Sequence, residues 1–255
     1  MHSRRFFLLS GLVSSGFLGT ILSRKADAST GAVACAEETF SGTEYVICRV
    51  SVADVQLRVA HADASGTPYG RLQSFVRAME ANGRTVPFAM NGGMYHRDLS
   101  PVGYLVEDSD RLKKANTRPG PGNFHMLPNG IFWVDGGRAG VSETNAFLKV
   151  NQRPAYATQS GPLLLERNKV HPRFKRDSTS RKIRNGVGVK DGGRTALFAL
   201  SKRPVTFWEF ATLFRDHLVT PNALYLDGTI SSVHAPSIGR SDRLFPVGPI
   251  IAVVE

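Results

Sequence analysis

Asp227 stands directly after the apolar run Ala223-Leu224-Tyr225-Leu226 and directly before Gly228. A carboxylate at the end of a buried strand is placed to bind metal, to accept a sugar hydroxyl or to act as acid or base. An Asp-Gly turn or a helix cap is the plainer use of the same pair. A second concentration of polar chemistry runs from Ser180 to Gly188 as Ser-Arg-Lys-Ile-Arg-Asn-Gly-Val-Gly. Arg181 and Arg184 carry planar forks matched to phosphate oxygens, with Ser180, Lys182 and Asn185 as further donors. In an extended chain Ser180, Lys182 and Arg184 share one face while Arg181 takes the other with Ile183. One arginine or the other is then set to face a site, unless the segment is a charged edge strand guarded against pairing.

Three more segments set Gly and polar residues beside apolar strands. They are Asn91-Gly92-Gly93-Met94-Tyr95, the stretch from Ser100 to Glu107, and Gln159-Ser160-Gly161-Pro162. Glycines after a strand let the backbone turn through positive φ and bring amides close to a ligand, and Asn-Gly is also a common hairpin turn. Other chemistries lack a signature. The histidines of the exported part, at 61, 96, 125, 171, 217 and 234, show no His-x-x-x-His or Glu-x-x-His spacing for zinc, although His96 and Asp98 follow the Gly pair closely enough to enter a site. Gly-x-Ser-x-Gly, a phosphate-binding P-loop and a dinucleotide fingerprint are all missing, which counts against serine hydrolases and nucleotide enzymes. No cofactor is indicated; Asp227 with carbonyl oxygens leaves room for a divalent metal, with no visible ligand set.

The elements that must hold these residues are mixed along the chain. Val55 to Val59 alternates as a half-buried strand does, and Val86 to Met90 is a short apolar run ending at the Gly pair. Between them Leu72, Phe75, Val76 and Met79 recur at helical spacing, predicting a helix over 70–82 that stops near Asn82-Gly83. Thr206-Phe207-Trp208-Glu209 has the capping-box pattern, followed by Phe207, Phe210, Ala211, Phe214 and Leu218 on one face. Residues 111–122, rich in Pro and Gly, read as a long loop within a domain. The layout predicts an α+β fold of mixed β-sheets with a few packed helices, in a single domain over residues 29–255.

Arg4 and Arg5 before the apolar run from Phe6 to Leu22, then Ala26-Asp27-Ala28, give the order of an export signal, with cleavage expected after Ala28. Ser3-Arg4-Arg5-Phe6-Phe7-Leu8 resembles a twin-arginine signal for export of a folded protein. No membrane span is expected to remain after cleavage, and the destination is periplasmic or extracellular. Cys35 and Cys48, the only cysteines, suggest one disulfide closing a short loop in that compartment. The formal net charge of +11 favours anionic partners. Export makes nucleic acid the least natural of these, leaving acidic glycans, phospholipid head groups and phosphate-bearing metabolites.

Taken in order, these segments resemble the phosphodiester glycosidase domain, over a span from about Cys35 to the C-terminus. Gly122-Asn123-Phe124 and Pro128-Asn129-Gly130 add to the likeness, which is nearest to a bacterial exported subgroup. The resemblance implies cleavage of a sugar from a sugar-1-phosphodiester. The family's Asn-Gly-Gly-aromatic segment falls on Asn91 to Tyr95, with Met94 where an aromatic is common. Its Arg-Thr-Ala-Ile-Gly segment falls on Arg181 or Arg184, and its Leu-Asp-Gly-Gly-Gly-Ser segment on Leu226-Asp227-Gly228-Thr229-Ile230-Ser231. Two glycines of that last loop are absent here, which alters how closely backbone amides approach a substrate.

A phosphate diester leaves an anomeric carbon more readily than a sugar alcohol does, so stabilising phosphate charge and an oxocarbenium-like sugar becomes the main task. On this basis Arg181 or Arg184 takes the phosphate, Asp227 has a carboxylate role, and Glu107 is the candidate second carboxylate, because Glu209 already suits a helix cap. Asn91, Gly92, Gly93, Tyr95, Ser160, Gly161, Ser180, Asn185, Gly228 and Thr229 are the candidate substrate contacts. The substrate expected is an anionic sugar phosphate or envelope glycan. A non-catalytic module for anionic envelope glycans and a metal-dependent phosphodiesterase using Asp227 are the competing readings.

Overall fold

A computed structural model describes residues 1–2, 31–228 and 230–255 of the chain. The expected export segment falls almost wholly on residues 3–30 and so lies outside the described residues, as does Thr229. The chain enters its first sheet as a hairpin of β1 (Val33–Phe40) and β2 (Thr43–Ser51), and continues into β3 (Leu57–Ala60), the alternating run read over residues 55–59. Cys35 and Cys48 are opposed across the hairpin and joined by a disulfide, as their number suggested.

The helix α1 (Leu72–Ala81) buries Leu72, Phe75 and Val76, the residues whose spacing marked it, and stops at Asn82 with Gly83 at a φ of 70°. The strand β4 (Phe88–Asn91) is buried along its whole length, which is why it reads as a continuous apolar run without alternation. Next comes the hairpin of β5 (Leu105–Glu107) and β6 (Asp110–Lys113). The loop expected over residues 111–122 therefore gives its first three residues to β6. That strand is fully exposed, so it carries no apolar pattern by which to be recognised.

The central part contributes β7 (Gly130–Asp135), β8 (Arg138–Glu143), α2 (Thr144–Lys149), β9 (Tyr156–Ser160), β10 (Leu163–Glu166) and β11 (Lys169–Val170). Then follow β12 (Asn185–Lys190), β13 (Thr195–Ser201) and α3 (Phe207–Thr212). Both hydrogen bonds of the Thr206–Glu209 capping box are present at the start of α3, and a wider π-type turn over Leu213–His217 continues it. The last strands are β14 (Asn222–Asp227), β15 (Val233–Ala235), β16 (Arg240–Ser241) and β17 (Ile250–Val253).

These strands form three antiparallel sheets. The first has the order β1-β2-β13-β12-β14-β10-β11, the second β16-β15-β4-β17-β3 and the third β6-β5-β9-β7-β8. One apolar core is common to all three. At its centre Phe198 of the first sheet meets Phe88 of the second at 4.7 Å and Phe132 of the third at 5.9 Å, between ring centroids. Helices cover the outward faces. Phe210 and Phe214 seal the first sheet against Tyr45, Ile47 and Leu197, α1 packs on Ala89, Ile250 and Ala252 of the second, and Phe147 of α2 packs on Ile131 of the third. The α+β class and the single domain are as the sequence predicts. No helix among the described residues is long and apolar enough to cross a membrane.

Candidate active site

Three strand ends meet at one place. Asn91 is the last residue of β4 in the second sheet, Ser160 the last of β9 in the third, and Asp227 the last of β14 in the first, opposite Asn185 at the start of β12. Side-chain hydrogen bonds lock the junction. Asn185 donates its amide to Asn91 Oδ1 at 2.7 Å, while its own Oδ1 accepts the Asp227 backbone N–H at 2.8 Å. Asn91 Oδ1 also accepts the Ser232 N–H at 2.9 Å, and the Ser160 hydroxyl donates to the Leu226 carbonyl at 2.7 Å. Asparagine suits position 185 because its amide donates and accepts on opposite sides, bridging two sheets without a net charge, while at 91 a single amide oxygen accepts twice.

Asp227 itself is half-buried. One of its oxygens accepts the Gly228 N–H at 2.6 Å, and the other accepts no hydrogen bond among the described residues. No cation pairs with it there, so loss of water raises its pKa above the ordinary carboxylate value. Nearby Tyr95 donates its hydroxyl to the Pro246 carbonyl, and dehydration first, then the charge of Asp227, push its pKa up.

Arg184 is 1 % exposed, the largest side chain so deeply buried among the described residues. Its Nε donates to the Val205 carbonyl at 2.9 Å, its Nη2 to the Ser180 carbonyl at 3.3 Å, and its guanidinium lies 3.6 Å over the Phe207 ring. The Tyr225 ring lies 5.5 Å from the same guanidinium, and its hydroxyl stands near Arg184 and Asn123. A Cβ on Gly228 would stand 2.3 Å from that hydroxyl, so only glycine lets the turn after Asp227 close over Tyr225. No carboxylate pairs with Arg184 among the described residues, and the titratable group its charge bears on here is the Tyr225 hydroxyl.

Buried donors without partners are rare in folded proteins and call for an explanation. Among the described residues there are five such side-chain atoms: Arg58 Nε and His171 Nε2 lie elsewhere, and Asn91 Nδ2, Ser232 Oγ and Arg184 Nη1 belong to residues of this junction or adjoining it. Strand ends that leave donors unspent around a half-free carboxylate are fitted to take a polar ligand.

Several sequence-predicted residues take other places. Gly92 and Gly93 do not adopt positive φ. Glycine is required at 93 by close approach, since a Cβ there would lie 2.2 Å from the Gln159 carbonyl oxygen. Their amides are engaged within the protein, Gly92 N–H with the Pro249 carbonyl and Gly93 N–H with Thr158 Oγ1. Ser160 and Gly161 sit at the end of β9 as packing and fastening residues, Gly161 against Asn129 and the Phe124 carbonyl. Ser180 is exposed. The side chain of Arg181, 51 % exposed, pairs with the capping residue Glu209 at 2.7 Å, whereas Arg184 is buried. Asp98 closes a surface turn by accepting from Ser100.

The pairing of Glu107 with Asp227 as two carboxylates of one site is not formed. Glu107 ends β5 alongside the Tyr156 end of β9, four residues along from Ser160, or roughly 13 Å at strand spacing. It accepts the His61 N–H at 3.2 Å, and burial above all pushes its pKa up to about 7. Sequence reasoning also passed over Ser232, Asn123 and Tyr225 as site residues. The last two lay inside segments already singled out, and only their contact through space marks them. Gln159 and Asn129, also in those segments, fasten loops: Gln159 Oε1 accepts from the amides of Tyr104 and Asn116, and Asn129 bridges Phe124 and Thr144. Among the described residues no three His, Cys, Asp or Glu side chains gather as a metal site.

Comparison with known proteins bears on the family and the fold. The sequence profile of the phosphodiester glycosidase family matches residues 84–251, a span holding Asn91, Ser160, Arg184, Asn185 and Asp227. The uncharacterized YigE protein of Escherichia coli (strain K12) is 37% identical over 190 residues, 74% of either chain. Among solved structures, the catalytic domain of zebrafish N-acetylglucosamine-1-phosphodiester alpha-N-acetylglucosaminidase, auto-inhibited by its pro-peptide, aligns with a TM-score of 0.58 at 14% identity, over 87% of this chain and 81% of that one. A hypothetical protein from Synechocystis aligns with a TM-score of 0.57 at 13% identity, over 87% and 61%. At such identity the structural likeness speaks for a shared fold, while the profile match over most of the chain settles the affiliation. The chain belongs to the phosphodiester glycosidase family.

Proposed function

We propose that this protein is an exported hydrolase that cleaves the glycosidic bond of a sugar-1-phosphodiester in the cell envelope, releasing free sugar and a phosphomonoester. The observation that carries the reading is the locked junction of Asn91, Asn185 and Asp227, which holds one carboxylate oxygen free among unspent donors. Asp227 is the working carboxylate. Its raised pKa makes it a better proton acceptor than an ordinary aspartate, suited to taking a proton from the attacking water. The phosphate departs as an anion and needs little protonation. Arg184 supplies positive charge from behind the junction, in surroundings where water screens it weakly. The disulfide between Cys35 and Cys48 supports an oxidising compartment.

Product analysis on a panel of sugar-1-phosphodiesters tests this, with Asp227→Asn as the control. Free sugar and phosphomonoester should appear with the native protein and fall by about 10²–10⁴-fold in the control, the usual worth of a positioned acid or base. Release of a sugar phosphate in their place would make the protein a phosphodiesterase and sink the proposal.

A further inference from the structure

A groove of about 660 Å³, within the usual range for small-molecule sites, opens directly beside the Asp227 turn. Its near wall is Ser231, whose hydroxyl donates to the Gly228 carbonyl at 2.7 Å, and Ile183, whose carbonyl borders Gly228. Leu200 lines it further along, and its far rim is Arg243, Leu244 and Phe245. Leu244 is 81 % exposed and Phe245 43 %, an apolar pair left in water at the mouth of a polar site.

The rim is tied down and the exposure is part of the built structure. Arg71 donates to the carbonyls of Arg243 and Leu244, and Gln73 to that of Asp242. The cations around the groove are not equivalent. Lys202 is paired with Glu37 and Glu44, and Arg240 with Asp242. Arg243 has no acidic partner among the described residues, and neither does Arg71, which donates to its carbonyl; this leaves unneutralised positive charge at the rim, next to the apolar pair. A ligand complementary to that surface carries an anion and a hydrocarbon portion together.

We infer that this groove seats the leaving group of the reaction, and that the leaving group is the phosphate ester of an alcohol bearing a hydrocarbon chain. The inference rests on the glycosidase reading for its chemistry, and on the groove alone for its binding. The sugar occupies the Asp227 junction, the phosphate lies beside Ser231 towards Arg243, and the chain runs along Ile183 and Leu200 to Leu244 and Phe245. Burial of methylenes against those side chains then gives a preference for long over short alcohols.

Calorimetric titration of the whole protein with decyl phosphate and with methyl phosphate, both as dissolved monomers, tests the groove without requiring turnover. Decyl phosphate should bind at least about tenfold more tightly, since each fully buried methylene is worth about fourfold and two suffice. A Leu244→Ser, Phe245→Ser double variant should lose the preference while melting as the native protein does, because both side chains are exposed. Arg243→Gln should weaken both ligands alike. Equal affinity for the two phosphates, or a preference that survives the double variant, would overturn the inference. So would binding to anionic phospholipid vesicles without any chain-length preference for the monomers, which would make the rim a membrane contact. Chain-length preference without sugar release from any diester would remove the glycosidase reading and leave the groove as a binding site. Equal release from methyl and decyl diesters of the same sugar would keep the glycosidase and remove the groove.

Discussion

Two charged side chains at this junction and one beyond it behave differently from their exposed counterparts because water has been withdrawn from them. Arg184 stacks on Phe207 and donates to two carbonyls while 1 % exposed. Arg184→Ala therefore cannot be a silent probe of phosphate binding. It should destabilise the fold by about 2–4 kcal/mol, from a cavity and stranded carbonyls, in addition to lowering turnover; urea unfolding will show the loss. Glu107 has an ordinary pKa of 4.5 and is pushed up to about 7 by burial. The folded state then binds an extra proton between those values, so this group's contribution is most favourable below about 4.5 and is lost as pH rises through about 7. Glu107→Gln, which keeps an acceptor for the His61 N–H, should raise the melting temperature at pH 8 and leave it nearly unchanged at pH 4.5. Equal effects at both pH values would show that the carboxyl titrates normally. Turnover should persist in this variant, since Glu107 lies apart from Asp227.

At the scale of elements, the helices α1 and α3 were the most readily argued, while the hairpin of β1 and β2 was marked only by its two cysteines. The two cysteines, 13 residues apart, lie opposite each other in the hairpin register. Replacing both with alanine should cost about 3 kcal/mol, the worth of closing a loop of that length. Turnover should survive in the folded fraction, because β2 is three strands away from β14 in the sheet. A loss of turnover beyond the loss of folded protein would mean the hairpin reaches the site. The helices α1 and α3 were legible because one face of each is apolar at helical spacing and their ends carry capping chemistry. The exposed edge strand β6 was not, having neither periodicity nor burial.

On the scale of the whole molecule, the site exists only because three sheets close on one core. Gly93 is where the second sheet's chain passes against the third, with room for no Cβ beside the Gln159 carbonyl. Gly93→Ala should force these backbones apart, destabilise by about 1–3 kcal/mol as overpacked positions do, and depress turnover of the molecules that remain folded by moving Asn91. Native turnover per folded molecule would show that the junction tolerates a shift.

The sequence by itself determined the α+β class, the disulfide partners, two helices with their caps, and the short list of segments from which the site is drawn. Those features follow from local spacing and composition, which act along the chain. Only the tertiary structure buried Arg184 while pairing Arg181 with Glu209, set Glu107 at the other end of β9 from Ser160, and engaged the Gly92 and Gly93 amides and the Ser160 hydroxyl within the protein. It also brought Tyr225, Asn123 and Ser232 to the site. Each of these depends on which strand ends meet across sheets and how much water is excluded there, and neither quantity is written in the spacing of residues along one strand.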